Sequence, residues 1–469
     1  MNRISRKIIE TWANLGPRYL PFADVATVEV PLSRLLRLSL FQVSVGMALV
    51  LLVGTINRVM IVELGVSASL VAIMISLPVI VAPFRALIGY SSDTHRSALG
   101  WKRVPFIWRG TMIQFGGLAI MPFALLALSG GGNAREWPTW VGQAGAGLAF
   151  FLVGAGLHTI QTAGLALATD LVSEESQPKV VGLMYVMLLF GTFFSALVFG
   201  WALADFSPLR LVQVIQAAAV LTMVLNIIAL WKQEPRNRNS ALYGAVRLSF
   251  RESWNSFTEH GRALRRLTAI GLGTMAFSMQ DILLEPYGGQ ILNMSVSATT
   301  RLTAALALGG LLGFGYASRV LSRGADPFRI ASYGAGFGVP AFLAVIFSAF
   351  LSSPLLFVAG AFFIGLGGGL FSHGTLTATM NHAPRDQRGL ALGAWGAVQA
   401  TAAGVAVALG GVLRDVVGSI TFVGRDGVSR VSPESGFMFV YTVEIILMLA
   451  ALSVMVPLIR ESSATSARL

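Results

Sequence analysis

Ten residues in the second half of the chain, Gln280-Asp281-Ile282-Leu283-Leu284-Glu285-Pro286-Tyr287-Gly288-Gly289, place two carboxylates, an amide, a phenol, a proline and a glycine pair inside otherwise apolar sequence. Asp281 and Glu285 are four residues apart, so a continuous helix carries both on one face. A charged side chain in hydrocarbon costs roughly 2.5–3.5 kcal/mol even on the lenient insertion scales. These groups are therefore expected to face protein, water or a ligand. Two uses fit: polar contacts to a bound molecule or a gate, or internal struts that pair with basic groups and backbone. Pro286 lacks an N–H and clashes with the preceding turn, and the Gly288-Gly289 pair permits unwinding, so a broken helix is expected here. Irregular backbone at membrane depth is tolerated only where protein buries it or where it lines a cavity.

A basic partner is available in Asn57-Arg58, in the first apolar run. Arg58 is expected to pair with Glu285 or Asp281, at the N···O separation of about 4 Å that an ion pair requires. Two histidines also lie within apolar runs, His158 and His373, together with Gln161, Gln399 and Glu444. A neutral imidazole is a good metal ligand, but a histidine hydrogen-bonded between helices meets the same pattern. Glycine-dense runs such as Gly142-x-x-Gly145-x-Gly147 and Gly365-x-Gly367-Gly368-Gly369 resemble nucleotide loops only on paper, and within apolar runs they read as close helix packing. No Walker A sequence, HExxH or CxxC is present, and no nucleophile–base pair stands out, so neither an enzyme nor a metal site is expected.

The elements that position these residues follow from composition. The chain has 469 residues, 55% hydrophobic and only 12% charged, with a mean hydropathy of +0.71. Soluble domains carry about 25% charged residues, so this is a polytopic membrane protein. Cysteine is absent, which excludes disulfides and thiolate metal sites. The net charge of +12 is read as basic cytoplasmic loops rather than a nucleic-acid surface. The N-terminus is basic, but no apolar segment with a small-residue cleavage site follows it before the first span, so no removable signal is expected.

A span needs about 20 mostly apolar residues. Twelve runs qualify, at roughly 38–62, 68–90, 104–128, 140–168, 180–203, 208–231, 267–292, 297–320, 328–351, 355–380, 388–413 and 436–459. The seventh is the least regular, being interrupted by Glu285, Pro286 and the glycines. An even number puts both termini on one side. Arg3, Arg6, Lys7, Arg34, Arg37, Lys102, Arg103 and the many basic residues of the loop at 232–266 then share that side, which predicts cytoplasmic termini. The chain divides into an N-terminal segment 1–37, a six-helix half 38–231, a middle loop 232–266, a second half 267–459 and a tail 460–469. The halves repeat. Gly89-Tyr90-Ser91-Ser92-Asp93 answers Gly315-Tyr316-Ala317-Ser318-Arg319, Val66-Ser67-Ala68 answers Val296-Ser297-Ala298, and Val153-Gly154-Ala155-Gly156 answers Ile364-Gly365-Leu366-Gly367. The last alignment sets His158 against Gly369, one helical turn before His373, so the two histidines are expected on equivalent faces.

An all-α membrane protein of twelve helices in two pseudo-symmetric halves resembles the major facilitator superfamily, in which the ligand region lies between the halves. Gly89-x-x-x-Asp93 followed by Lys102-Arg103 is similar to that superfamily's signature between spans 2 and 3, which implies a conformational latch made by a carboxylate, a helix N-terminus and basic neighbours. Thr94 stands where a basic residue is usual there. A basic turn with a tight glycine contact is the alternative.

Longer stretches are more specific. Arg34-Leu35-Leu36-Arg37-Leu38-Ser39-Leu40-Phe41-Gln42-Val43-Ser44-Val45-Gly46-Met47, Asn57-Arg58-Val59-Met60-Ile61-Val62-Glu63-Leu64-Gly65, Pro83-Phe84-Arg85-Ala86-Leu87-Ile88-Gly89 and the run beginning at Gln280 resemble the PucC/LhaA family of purple phototrophic bacteria. That resemblance runs from about Pro21 to the end of span 12. It implies a non-enzymatic assembly factor of the inner, cytoplasmic or intracytoplasmic membrane, which hands bacteriochlorophyll to the antenna α and β polypeptides. It further implies partners near the reaction centre, bacteriochlorophyll synthase and the membrane insertion machinery, with membrane lipids around the chain and no nucleic acid. The opening, Leu15-Gly16-Pro17-Arg18-Tyr19-Leu20-Pro21-Phe22-Ala23-Asp24, leans toward the LhaA, core-antenna branch. A chlorin's magnesium wants one axial ligand and its carbonyls want donors; His158, His373, Gln161, Gln280, Asp281, Glu285 and Tyr287 are the candidates. A proton-coupled transporter of a small solute and a pigment-free scaffold are the rival readings.

Overall fold

The computed structural model describes residues 30–78, Ile88, Ser92, 101–130, 136–173, 176–234, 263–382, 388–423, 429–431 and 433–466. Among the described residues eleven helices are long and apolar enough to cross a membrane. They are α1 (Leu32–Glu63), α3 (Val104–Leu128), α4 (Thr139–Asp170), α5 (Gln177–Ala202) and α6 (Pro208–Leu230) in the first half. The second half contributes α7 (Ala263–Gln290), α8 (Val296–Leu321), α9 (Pro327–Phe350), α10 (Pro354–His382), α11 (Arg388–Gly418) and α12 (Pro433–Ser466). The remaining expected span, α2, is described as the helix Ala68–Ser76; beyond it only Leu77, Pro78 and Ile88 of that span are described.

Local sequence explains where several helices start. Ser207-Pro208 and Asp326-Pro327 place a capping side chain ahead of a proline in the first helical turn. The Ser207 hydroxyl accepts the Arg210 N–H at 3.2 Å and the Asp326 carboxylate accepts the Arg329 N–H at 3.0 Å, satisfying N–H groups that no carbonyl of the helix reaches. α1 is irregular. It turns at Ser39 and then runs through two π-helical stretches, Val50–Ile56 and Val59–Glu63.

Helix packing obeys the internal repeat. α3 lies on α4 as α9 lies on α10; α1 meets α5 and α6 as α7 meets α11 and α12; α3 meets α6 as α9 meets α12. The halves join through α2 with α11 and α5 with α8, and adding six to each label exchanges these two pairs, as a pseudo-twofold axis requires. The glycines of the repeat are where backbones touch. A methyl group at Gly156 would lie 2.7 Å from the Gly110 carbonyl of α3, and one at Gly367 would lie 2.6 Å from the Gly334 carbonyl of α9. These glycines are helix contacts, not phosphate loops. Among the described residues one feature is not helical: Thr421–Val423 and Ser429–Val431 pair as antiparallel strands between α11 and α12.

Two sets of contacts fasten helix ends, one within the first half and one between the halves. Where α1 begins, Glu234, just past α6, accepts the backbone N–H groups of Lys102, Arg103 and Val104 at 2.7–3.1 Å and so caps α3. Gln233 beside it exchanges hydrogen bonds with Arg34, whose guanidinium donates to the Gln233 carbonyl at 2.6 Å. On the opposite side, Asp415 of α11 accepts both the N–H and the hydroxyl of Ser69 in the first turn of α2, each at 2.6 Å. Arg414 orients that carboxylate at 2.7 Å, donates to Gln290 at 2.5 Å and lies 4.7 Å over the Phe437 ring.

Candidate functional site

α7 breaks where expected, but ahead of Pro286 rather than at the glycine pair. An α-helical segment ends at Ser278, a 3₁₀ turn spans Met279–Ile282, and a short helix, Leu284–Gln290, contains Pro286, Gly288 and Gly289. The cause is the missing N–H of Pro286, which leaves the Ile282 carbonyl four residues earlier without a helical donor. Asn57 of α1 supplies one: its amide donates to the Ile282 carbonyl at 2.7 Å and to the Val53 carbonyl at 2.8 Å. The N–H of Gln280, released by the same break, donates to the carboxylate of Glu444 of α12 at 2.6 Å. Glu444 is thus paired across helices, with a backbone group rather than a cation.

Gln280 is held at three points. Besides its backbone bond, its side-chain amide donates to the Phe277 carbonyl at 3.2 Å and to Asp281 Oδ1 at 2.6 Å. Gln280 is buried, whereas Asp281 is partly exposed and lines a central cavity of about 320 Å³. That cavity is bounded by α5 through Tyr185 and Leu189, α7 through Phe277, Gln280 and Asp281, α8 through Gly310 and Phe314, α10 through Gly368 and Ser372, and α11 through Trp395 and Gln399. The rings of Tyr185 and Trp395, one from each half, meet edge to face at 6.0 Å. No lysine or arginine lines it among the described residues. The volume sits at the low end of the ≈ 300–1,000 Å³ range of small-molecule sites.

Glu285 is buried and points elsewhere. Thr303 of α8 donates to its Oε1 at 2.5 Å, and the same oxygen rests against Gly54 of α1. The expected ion pair with Arg58 does not form. Arg58 binds Glu63 at 2.5 Å and the Met294 carbonyl at 2.9 Å, and no ion pair joins it to Glu285 or Asp281. The reason is the π-helical stretch Val59–Glu63, whose wider turn brings residue i+5 over residue i and hands Arg58 a carboxylate from its own helix. Arg58 still lies against the broken helix, since a methyl group at Gly289 would stand 3.0 Å from its guanidinium.

The other candidates are dispersed. Tyr287 is fully buried, donates to the Val345 carbonyl at 3.0 Å and packs among Phe357, Phe437 and Tyr441, so it braces the second half away from the cavity. His373 is buried with its ring 4.1 Å from that of Phe314; its neighbour Ser372 reaches the cavity. His158 is half-buried in α4, and Gln161 donates to Gln42 at 3.3 Å; neither lines the cavity. Of the expected latch, Gly89 and Asp93 lie outside the described residues. Lys102 and Arg103 are at the capped start of α3, where Arg103 donates to Ser92 at 2.6 Å and pairs with Asp170 at 3.1 Å. Residues that sequence reasoning passed over are Glu63, Glu234, Thr303 and Asp415. Partners distant in sequence give Glu234, Thr303 and Asp415 their meaning, and a π-helical turn gives Glu63 its own, although an acidic residue at the end of an apolar run, as at Asp415, is a signal in itself.

Chemically, the arrangement offers a carboxylate held by a fixed amide at one pole of an apolar, aromatic cavity, and beside it a buried polar seam joining α1, α7 and α8. The overall fold is that of solved membrane transporters. A bacterial homologue of the human lysosomal transporter Spinster superposes with a TM-score of 0.64 at 15% identity, covering 93% of this chain and 96% of that one. In sequence, the chain is 63% identical to Protein PucC of Rhodovulum sulfidophilum over 420 residues, 89% of this chain and 92% of the relative. It is 27% identical to the bacteriochlorophyll synthase 44.5 kDa chain of Rhodobacter capsulatus over 82% of this chain and 88% of the relative. The PUCC protein family profile matches residues 55–463, a stretch that holds the broken helix, its partners in α1 and α12 and the whole cavity wall; the chain belongs to the PUCC protein family.

Proposed function

We propose that this chain is an assembly factor for the light-harvesting antenna of a purple phototrophic bacterium, which delivers bacteriochlorophyll to the antenna α and β polypeptides and catalyses no reaction itself. Family membership carries this reading, and the name of the bacteriochlorophyll synthase relative supports the pigment context. The central cavity supports it as well, because aromatic rings, glycine backbone and a single carboxylate suit one side of a largely apolar macrocycle. The core antenna is the favoured recipient, on the opening segment Leu15–Asp24. The protein acts in the inner membrane with cytoplasmic termini, beside bacteriochlorophyll synthase, the insertion machinery and the reaction centre; the distribution of Lys and Arg supports that orientation. A second reading is solute transport, favoured by the likeness to transporters and by buried carboxylates beside a broken helix. Purification in mild detergent from pigmented cells, followed by a near-infrared spectrum, separates the two. Stoichiometric bacteriochlorophyll and co-purified antenna polypeptides are expected. Pigment-free protein with solute flux that collapses with the pH gradient would overturn the proposal.

A further inference from the structure

Among the described residues, Asp281 is the one charged side chain on the cavity wall. Its Oδ1 accepts the Gln280 amide at 2.6 Å, and no hydrogen bond within the described residues engages its second oxygen. Asp281 is partly exposed while Gln280 and Ile282 on either side of it are buried, so its exposure in the middle of the molecule is to the cavity. The other polar wall groups are neutral, and that of Thr192 is spent on the Leu188 carbonyl at 3.0 Å. Around the carboxylate the wall is apolar, made by the rings of Tyr185, Phe277, Phe314 and Trp395 and by Gly310 and Gly368. A carboxylate taken from water into such surroundings is costly unless a partner of opposite character meets it, and beyond the Gln280 amide the described wall residues include no basic side chain.

We infer that the cavity takes a largely apolar ligand with an electropositive centre, and that the free oxygen of Asp281 binds that centre. On the function proposed above, on which this identification of the ligand rests, the centre is the magnesium of a chlorin and Asp281 is its axial ligand. A protonated amine on an apolar body offers the same chemistry from a different source. Gln280 is the positioning residue: Glu444, the Phe277 carbonyl and Asp281 fix it, and through it the break in α7 aims the carboxylate. With a volume of about 320 Å³, the cavity would take one part of such a ring, with the hydrocarbon tail outside it.

Purified full-length protein is titrated in detergent with magnesium bacteriochlorophyllide, with the metal-free bacteriopheophorbide and with dodecyltrimethylammonium, read by the pigment bands and by tryptophan quenching. Wild type is expected to bind the magnesium form at least tenfold more tightly than the metal-free form. Asp281→Leu abolishes that preference and Asp281→Asn reduces it, with a change in the absorption band that follows the metal's coordination. Gly368→Leu weakens both forms alike. A methyl group at Gly368 meets only the Phe277 ring, at 3.7 Å, so a longer side chain enters the cavity without disturbing helix packing; this variant carries the test if Asp281→Leu fails to fold. Equal binding of the two pigments by wild type, or a preference that survives in the Asp281 variants, overturns the assignment while leaving pigment delivery standing. Ammonium binding that depends on Asp281, with no chlorin bound, upholds the carboxylate's role and sinks pigment delivery.

Discussion

Gly54 is a position where the two halves have no room to spare. A methyl group there would overlap Glu285 Oε1 and stand 3.2 Å from the carboxyl carbon and 3.5 Å from the Thr303 hydroxyl. Gly54→Ala must therefore push the Glu285 carboxylate off Thr303. Two costs combine: overpacking of a closed site, about 1–3 kcal/mol, and loss of a hydrogen bond to a charged group, about 1.5–3 kcal/mol. We expect a destabilisation of about 3–5 kcal/mol, measured by reversible unfolding in mixed detergent–SDS micelles with tryptophan fluorescence. The decisive variant is the double one. In a Glu285→Ala background the two closest contacts are gone and the next, the Thr303 hydroxyl, is at ordinary van der Waals distance, and alanine is the better helix former by about 0.5–1 kcal/mol. Gly54→Ala is then neutral or slightly stabilising, and the cycle reports a coupling of about 2 kcal/mol or more. Independent sites add to within roughly 0.3–0.5 kcal/mol. Additivity at that level would show that the carboxylate does not rest on Gly54 and would refute the packing described for α1 and α7.

Glu444 separates an acceptor from a charge: Glu444→Gln keeps an oxygen for the Gln280 N–H and is expected to stay within about 1 kcal/mol of wild type, whereas Glu444→Leu orphans that N–H and costs about 1–3 kcal/mol. Equal losses in the two variants would mean that the charge, not the hydrogen bond, matters. Asp415→Ala removes both bonds to Ser69 and should loosen the α2–α11 contact. Because the chain has no cysteine, a single Ala72→Cys, buried in α2, reports on it directly. Its alkylation rate should rise roughly tenfold for each 1.4 kcal/mol of lost closure, and an unchanged rate would show that Asp415 does not hold that side shut.

The spans, their number and the pseudo-symmetry were legible in the sequence because hydrophobic run length and repeated Gly-x-Gly and Val-Ser-Ala signatures are local. The break in α7 was legible too, since Asp281, Glu285 and Pro286 cannot sit quietly in a plain hydrocarbon helix. Its exact place was not, because the carbonyl freed by Pro286 lies four residues back and its substitute donor, Asn57, comes from another helix. The Arg58 pairing failed for a related reason. Nothing in Asn57-Arg58-Val59-Met60-Ile61-Val62-Glu63 announces a π-helical turn, and a regular helix would have left Glu63 off to one side of Arg58. Of the seven proposed ligand residues only Gln280 and Asp281 line the cavity. Residue type marked all seven as polar within spans, but which face looks inward depends on helix rotation and packing, which single-residue chemistry does not encode.

The clasp formed by Gln233 and Glu234 has a consequence for the order in which this protein is made. Residue 234 accepts the N–H groups that open the third helix and residue 233 grips Arg34 at the start of the first. The ribosome has therefore to synthesise all six helices of the first half before that half can be fastened, and nothing after residue 234 takes part in these bonds. Translation of the middle loop then separates in time the last residue these bonds need from Asp281 and the cavity wall of the second half.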